Sequence, residues 1–268
     1  MLLSEIRKCI LNRFFWGSVI LIYVLYIFAY YKGLTYALDD TTHLFYTLYL
    51  NIEMSNAQWL KPLIAVIPFM FIYYEEWNSG EYYNVMSRSG IKKYIASKSI
   101  AVFICGFLQS LISMLLFFCT LIMLTKGKWN IGAAELGVYA DSILQKRAVD
   151  GHEGVLLLNE IATRCVCVAV MSVMGLALYT FIKNKYLVII APFFITVASG
   201  YIFDFITNQT NNQIFVLLHP NMLMNYMSLV KLNLYGGGIP FTYGVFAVKL
   251  VIYIGMFCYG VGRRRRVG

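Results

Sequence analysis

Few residues in this chain have types and spacings suited to chemistry. Glu160 and Arg164 stand four apart in an apolar run, Lys249 sits midway along another, and Asp204 closes a third. A charged side chain inside a membrane is costly, so each is a candidate for a transport pathway or an intramembrane ion pair. The i, i+4 spacing puts Glu160 and Arg164 on one helix face, where a purely structural pair also accounts for them. Three readings stay open for Lys249: its stem snorkels to the interface, its ammonium meets a backbone carbonyl, or it lines a path with Asp204 as partner.

The densest charge lies in Glu75–Lys98, EEWNSGEYYNVMSRSGIKKYIASK, a charged, amphipathic insert between two apolar runs. Its first two residues suggest the paired glutamates of CAAX-type intramembrane proteases. That motif needs an Arg four residues after the second Glu, where Gly80 stands, and membrane-embedded histidines. His43, His152 and His219 are scattered outside the apolar runs. There is no GxxxxGK[ST] loop to cradle ATP phosphates, no HExxH and no GxSxG nucleophile elbow. Cys165–Val–Cys167 has no neighbouring His, which favours buried small hydrophobes over a metal site. The six cysteines lie in apolar runs or the inner flank, so no outer disulfide framework is expected. The chain is expected to carry no catalytic, metal or cofactor site of its own and not to be an enzyme.

The elements that must position these residues are membrane helices. The chain is 60% hydrophobic and only 13% charged, against about 45–50% and about 25% in soluble domains. Its mean hydropathy is +0.67. Crossing a bilayer takes about 20 mostly apolar helical residues, and such runs recur six times: 15–31, 57–74, 99–124, 160–182, 186–205 and 239–260. They are continuous rather than alternating, which excludes a barrel. The sequence therefore predicts an all-α, polytopic membrane protein with six transmembrane helices in a single domain over 1–268. Outer loops are expected at 32–56, 125–159 and 206–238, with a helical stretch at 133–147 inside the second. Lys183–Lys185 reads as a tight inner turn.

With the N-terminus inside, thirteen Lys and Arg fall on the cytoplasmic side (Arg7, Lys8, Arg13, Arg88, Lys92, Lys93, Lys98, Lys183, Lys185 and Arg263–Arg266) and seven outside. The positive-inside rule thus places both termini in the cytoplasm of a multi-pass cell-membrane protein. It also makes the net charge of +9 topological, with no nucleic-acid partner implied. Residues 1–14, MLLSEIRKCILNRF, lack the long apolar core and cleavage site of a signal peptide. Leu2, Leu3, Ile6, Ile10 and Leu11 recur at helical spacing with Glu5, Lys8, Asn12 and Arg13 between them, the pattern of an interfacial helix. In the insert, Gly80 precedes a helical stretch through Tyr82, Tyr83, Val85 and Met86, and Ser89–Gly90 ends it. Such a helix is expected to show an aromatic face to a partner and a basic face to lipid or water.

The order Glu76, Gly80, an apolar helix, Arg88, and Lys98 at the next span resembles the type-2 ABC transporter permeases. Also similar are the N-terminal interfacial helix, six spans, the short inner turn, and His219–Pro220–Asn221 in the segment before span six. Arg88–Ser89–Gly90 replaces a Pro common at the middle of that family's coupling segment. The resemblance implies a coupling helix, within 75–98, docked in a cleft of a separate ABC ATPase subunit that supplies ATP and Mg. Glu75, Glu76, Gly80, Arg88, Lys93 and Lys98 would serve that coupling. It also implies a second permease copy or a paralogue. The expected function is export of a peptide, drug or lipid-like cargo, with antimicrobial-peptide export or immunity among the options. The alternatives are an ion-gradient-driven transporter or channel, and a structural or sensor membrane subunit.

Overall fold

The computed structural model describes residues 1–34, 59–124, 153–182, 184–210 and 238–267. Among them all regular secondary structure is helical, in eight α-helices: α1 (Leu2–Leu11), α2 (Arg13–Leu34), α3 (Lys61–Asn78), α4 (Glu81–Ser89), α5 (Ile91–Leu124), α6 (Glu153–Tyr179), α7 (Lys185–Thr210) and α8 (Gly238–Val267). Four are long and apolar enough to cross a membrane: Ile91–Met123, Ile161–Tyr179, Lys185–Thr210 and Tyr243–Arg263. A fifth span results if α1 and the start of α2, bent by 62°, form one broken element. The eighteen residues of α3 include Lys61, Glu75 and Glu76, a charge load that sets it apart from the four.

Helix ends differ from the sequence reading where charged residues lie inside the fold. The second run continues to Asn78 rather than stopping at Tyr74, and α5 begins at Ile91, two turns before Ser99. Likewise α2 reaches Leu34, α6 starts at Glu153 and α7 runs to Thr210, each consuming residues expected in outer loops. The stretch 133–147, His43, His152, Lys183 and His219–Pro220–Asn221 lie outside the described residues.

The centre of the bundle is α6, which packs against α3, α5, α7 and α8. Val168, Val170, Val173, Met174 and Ala177 are all buried on it. By contrast, α7 and α8 are peripheral and expose Phe194, Tyr201, Val248 and Val251. Close approach to α6 depends on small residues, as it commonly does between membrane helices. A Cβ at Gly106 of α5 would lie 3.0 Å from the Ala169 Cα, so the two backbones meet there. Beside it, the Ser172 hydroxyl of α6 donates to the Ala65 carbonyl of α3 at 3.1 Å.

Pro68 inside α3 lacks the N–H that would reach the Ile64 carbonyl one turn back. Lipid offers no replacement donor. Instead the buried Gln109 side chain of α5 donates its Nε2–H to that carbonyl at 3.3 Å.

Candidate functional site

Three charged side chains meet where α1, α3 and α5 converge. On α3, Phe69, Tyr73 and Glu76 follow at helical spacing and are all buried, so the helix carries its acid inward on its core face. On α5 the buried stripe is Tyr94, Lys98, Val102 and Cys105. On α1 the buried residues are Glu5 and Cys9. The Lys98 ammonium, completely buried, donates to Glu5 Oε2 at 2.6 Å and also to Glu76 Oε2. Both carboxylates are about 5% exposed.

Aromatic groups complete the enclosure. The Tyr94 hydroxyl donates to Glu76 Oε1 at 3.3 Å. The Lys98 Nζ lies 4.4 Å from the Tyr73 ring centroid and 5.5 Å from that of Tyr94, within cation–π range. The Tyr73 hydroxyl in turn meets Cys9 Sγ at 3.8 Å. Charged groups removed from water are tolerated when paired and hydrogen-bonded. This cluster satisfies that condition only while three helices stay in register, so it acts as a lock between the N-terminal helix and the α3–α5 unit.

Immediately beside the lock lies the α3–α4–α5 joint. Ser79 and Gly80 turn the chain out of α3, with Gly80 at φ 74°. Gly90, at φ 81°, separates α4 from α5. Side chains strongly disfavour such φ values, so glycine is required where the chain breaks and restarts its helix. The two tyrosines of α4 divide, Tyr82 turning inward and Tyr83 outward. Tyr82 and Met86 are buried, and Tyr82 stacks on Trp77 at 3.9 Å between centroids with planes 4° apart. What α4 and its flanks offer to the outside is mainly polar, with Glu75, Glu81, Arg88, Lys92 and Lys93 exposed, and includes the Tyr83 ring, 42% exposed. A cleft of about 460 Å³ between α1 and the joint is lined by Lys8, Asn12, Glu75, Ser79 and Glu81, with Glu76 at its inner wall.

The residues expected in coupling therefore divide. Glu76 and Lys98 face each other in the interior and are unavailable for surface contact. Glu75, Arg88 and Lys93 are accessible, and Gly80 forms the turn between the two groups. Glu5 was expected on the polar face of an interfacial helix and is instead the third member of the lock. Its sequence signal is that it is the first acid of the chain and the only one before Asp39.

The intramembrane charges lie elsewhere. Arg164 is buried on α6 and lines a small cavity with Lys61, which α3 buries at its first residue. Lys249 is half-buried on α8, and Asp204 is exposed on α7. The Glu160 side chain lies outside the described residues, and with it the expected pairing to Arg164.

No protein-family model, curated protein or solved structure matches this chain.

Proposed function

We propose that this chain is the membrane-spanning subunit of an ATP-driven exporter of the type-2 ABC kind, with six spans and both termini in the cytoplasm. It would work with a separate ATPase subunit and a second membrane subunit, which is either another copy or a paralogue. A peptide, drug or lipid-linked molecule would be its cargo. One observation carries the reading: a nine-residue helix, α4, is slung between two positive-φ glycines at the end of α3 and the start of α5. Its polar side is exposed, and the roots of both neighbours are locked to α1 through Lys98. A push on α4 therefore has a short, stiff route into three helices at once. Rigid-body motion of packed helices is a recognised way to switch a pathway between two states.

The test is co-expression of the tagged chain with each P-loop ATPase encoded beside its gene, followed by copurification from detergent. We expect one such ATPase to be retained, and Arg88→Glu with Lys93→Glu to release it while the chain itself stays folded. Undiminished retention by the double variant refutes docking at α4. Absence of any retained ATPase refutes the exporter reading.

A further inference from the structure

Two of the six cysteines meet across a helix interface, Cys9 of α1 and Cys105 of α5. Both are free and completely buried. The Cys105 Sγ lies 4.0 Å from the Ile6 carbonyl oxygen of α1. A helix carbonyl points toward the turn that follows it, whereas a side chain leans back toward the N-terminus. The Ile6 oxygen and the Cys9 side chain, three residues on, therefore share one patch of α1, and Cys105 sits on that patch. The two thiols hydrogen-bond each other there. The remaining four are placed differently: Cys165 and Cys167 stand two apart on α6, on different sides of the helix, and Cys119 and Cys258 are exposed.

Burial as small hydrophobes accounts for each thiol taken singly. It leaves the contact between them without a role. Tyr73 ties the pair to the lock: its ring stands over the Lys98 Nζ at 4.4 Å, and its hydroxyl meets Cys9 Sγ at 3.8 Å. Cys9 follows Glu5 by one turn on α1, and Cys105 follows Lys98 by two turns on α5. The first helix is thus attached to α5 at two points, one ionic and one made of paired thiols. It is also a separable piece, because only Asn12 stands between α1 and α2, where the chain bends by 62°.

We propose that Cys9 and Cys105 are a modification site, a thiol pair that a peroxide converts into a reversible disulfide stapling α1 to α5. Of the two helices α1 is the short amphipathic one, so an excursion of α1 admits the oxidant, and Cys9 meets it first. Peroxide transfers one oxygen to the Cys9 sulfur, giving a sulfenic acid and one water. The Cys105 sulfur then attacks the Cys9 sulfur, the S–O bond breaks, and the hydroxyl leaves with the Cys105 proton as a second water. Two thiols are oxidised and one peroxide is reduced; a dithiol reductant reverses the link by exchange. With α1 on the cytoplasmic side, as proposed above, the pair rests reduced, and a disulfide there is a transient signal. The staple involves neither α4 nor an ATPase, so it stands or falls separately from the exporter reading.

The test treats the full chain in phospholipid nanodiscs with hydrogen peroxide, blocks the remaining thiols with N-ethylmaleimide and maps the unreduced peptides by mass spectrometry. We expect a linked Cys9–Cys105 peptide at least about tenfold more abundant than any other cysteine pairing, and its loss on adding dithiothreitol. Cys119→Ala with Cys258→Ala should leave that link unchanged. Trypsin supplies a second readout that mere proximity would not move. Cleavage after Arg7 or Lys8 should slow at least about threefold when the parent chain is oxidised, and should not change when Cys105→Ala is oxidised. Recovery of Cys9 and Cys105 in separate peptides, at a dose that oxidises Cys119 and Cys258, overturns the proposal. So does a link that forms only in the denatured chain, or tryptic cleavage of α1 that oxidation does not slow.

Discussion

Replacing Lys98 by Met removes the only cation of the lock and keeps the length of the side chain. Glu5 and Glu76 would then face each other, each about 5% exposed, with no ammonium between them. Two charge-assisted hydrogen bonds disappear, each worth about 1.5–3 kcal/mol, and removal of one partner from a buried pair typically costs about 3–5 kcal/mol. The Tyr94 hydroxyl still serves Glu76 but supplies no charge. We therefore expect Lys98→Met to destabilise the chain by about 4 kcal/mol, which corresponds to roughly 8–16 °C in Tm for a chain of this size class. The assay is thermal unfolding of detergent-solubilised protein, followed by the fluorescence of a thiol dye at its free cysteines. The decisive comparison is the neutral triple variant, Glu5→Gln with Glu76→Gln and Lys98→Met. It buries no unpaired charge and should lie within about 1–2 kcal/mol of the parent. A cost below about 1 kcal/mol for Lys98→Met would match a solvent-screened surface pair and refute the buried lock. So would a triple variant no more stable than the single one.

Gln109→Leu leaves the Ile64 carbonyl without its donor beside Pro68 and should cost about 1–3 kcal/mol, read as a fall in Tm. Gly106→Ala forces a methyl against the Ala169 backbone, and the overpacking should cost about 1–3 kcal/mol in the same measurement. At Gly80, with open space around it, Gly80→Ala should cost only the left-handed backbone penalty of about 1–2 kcal/mol. A larger loss there would mean that more than φ is at stake. Tyr82→Ala removes the buried ring stacked on Trp77 and should cost about 3 kcal/mol. It should also raise the proteolysis rate within 79–90 before any cut appears in α6.

The helical class was legible because lipid leaves the backbone few options, and long apolar runs state that constraint directly. The joint was partly legible as well: Gly80 and Gly90 mark its ends, and the short helix lies between them. What misled was charge. Glu76 and Lys98 carry the charge of a watery insert, which marks α3 as ending early and α5 as starting late. Yet each continues a helical stripe, Phe69–Tyr73–Glu76 in one case and Tyr94–Lys98–Val102–Cys105 in the other. A polar residue in register with an apolar stripe signals burial, but its partner cannot be read from one sequence when it lies 22 or 93 residues away. Glu5 was missed for the same reason.

The separation between Glu5 and Lys98 also has a consequence in time. Lys98 is made 93 residues after Glu5. At roughly 5–20 residues per second, that is a delay of about 5–20 s during synthesis. Throughout it the Glu5 carboxylate lacks the ammonium that receives it inside the bundle, and burying it alone would be prohibitive. The first helix must therefore wait at the aqueous surface until the α3–α5 unit arrives. Its docking is a late step of insertion, which makes the N-terminal segment a natural indicator of whether a newly made copy has finished assembling.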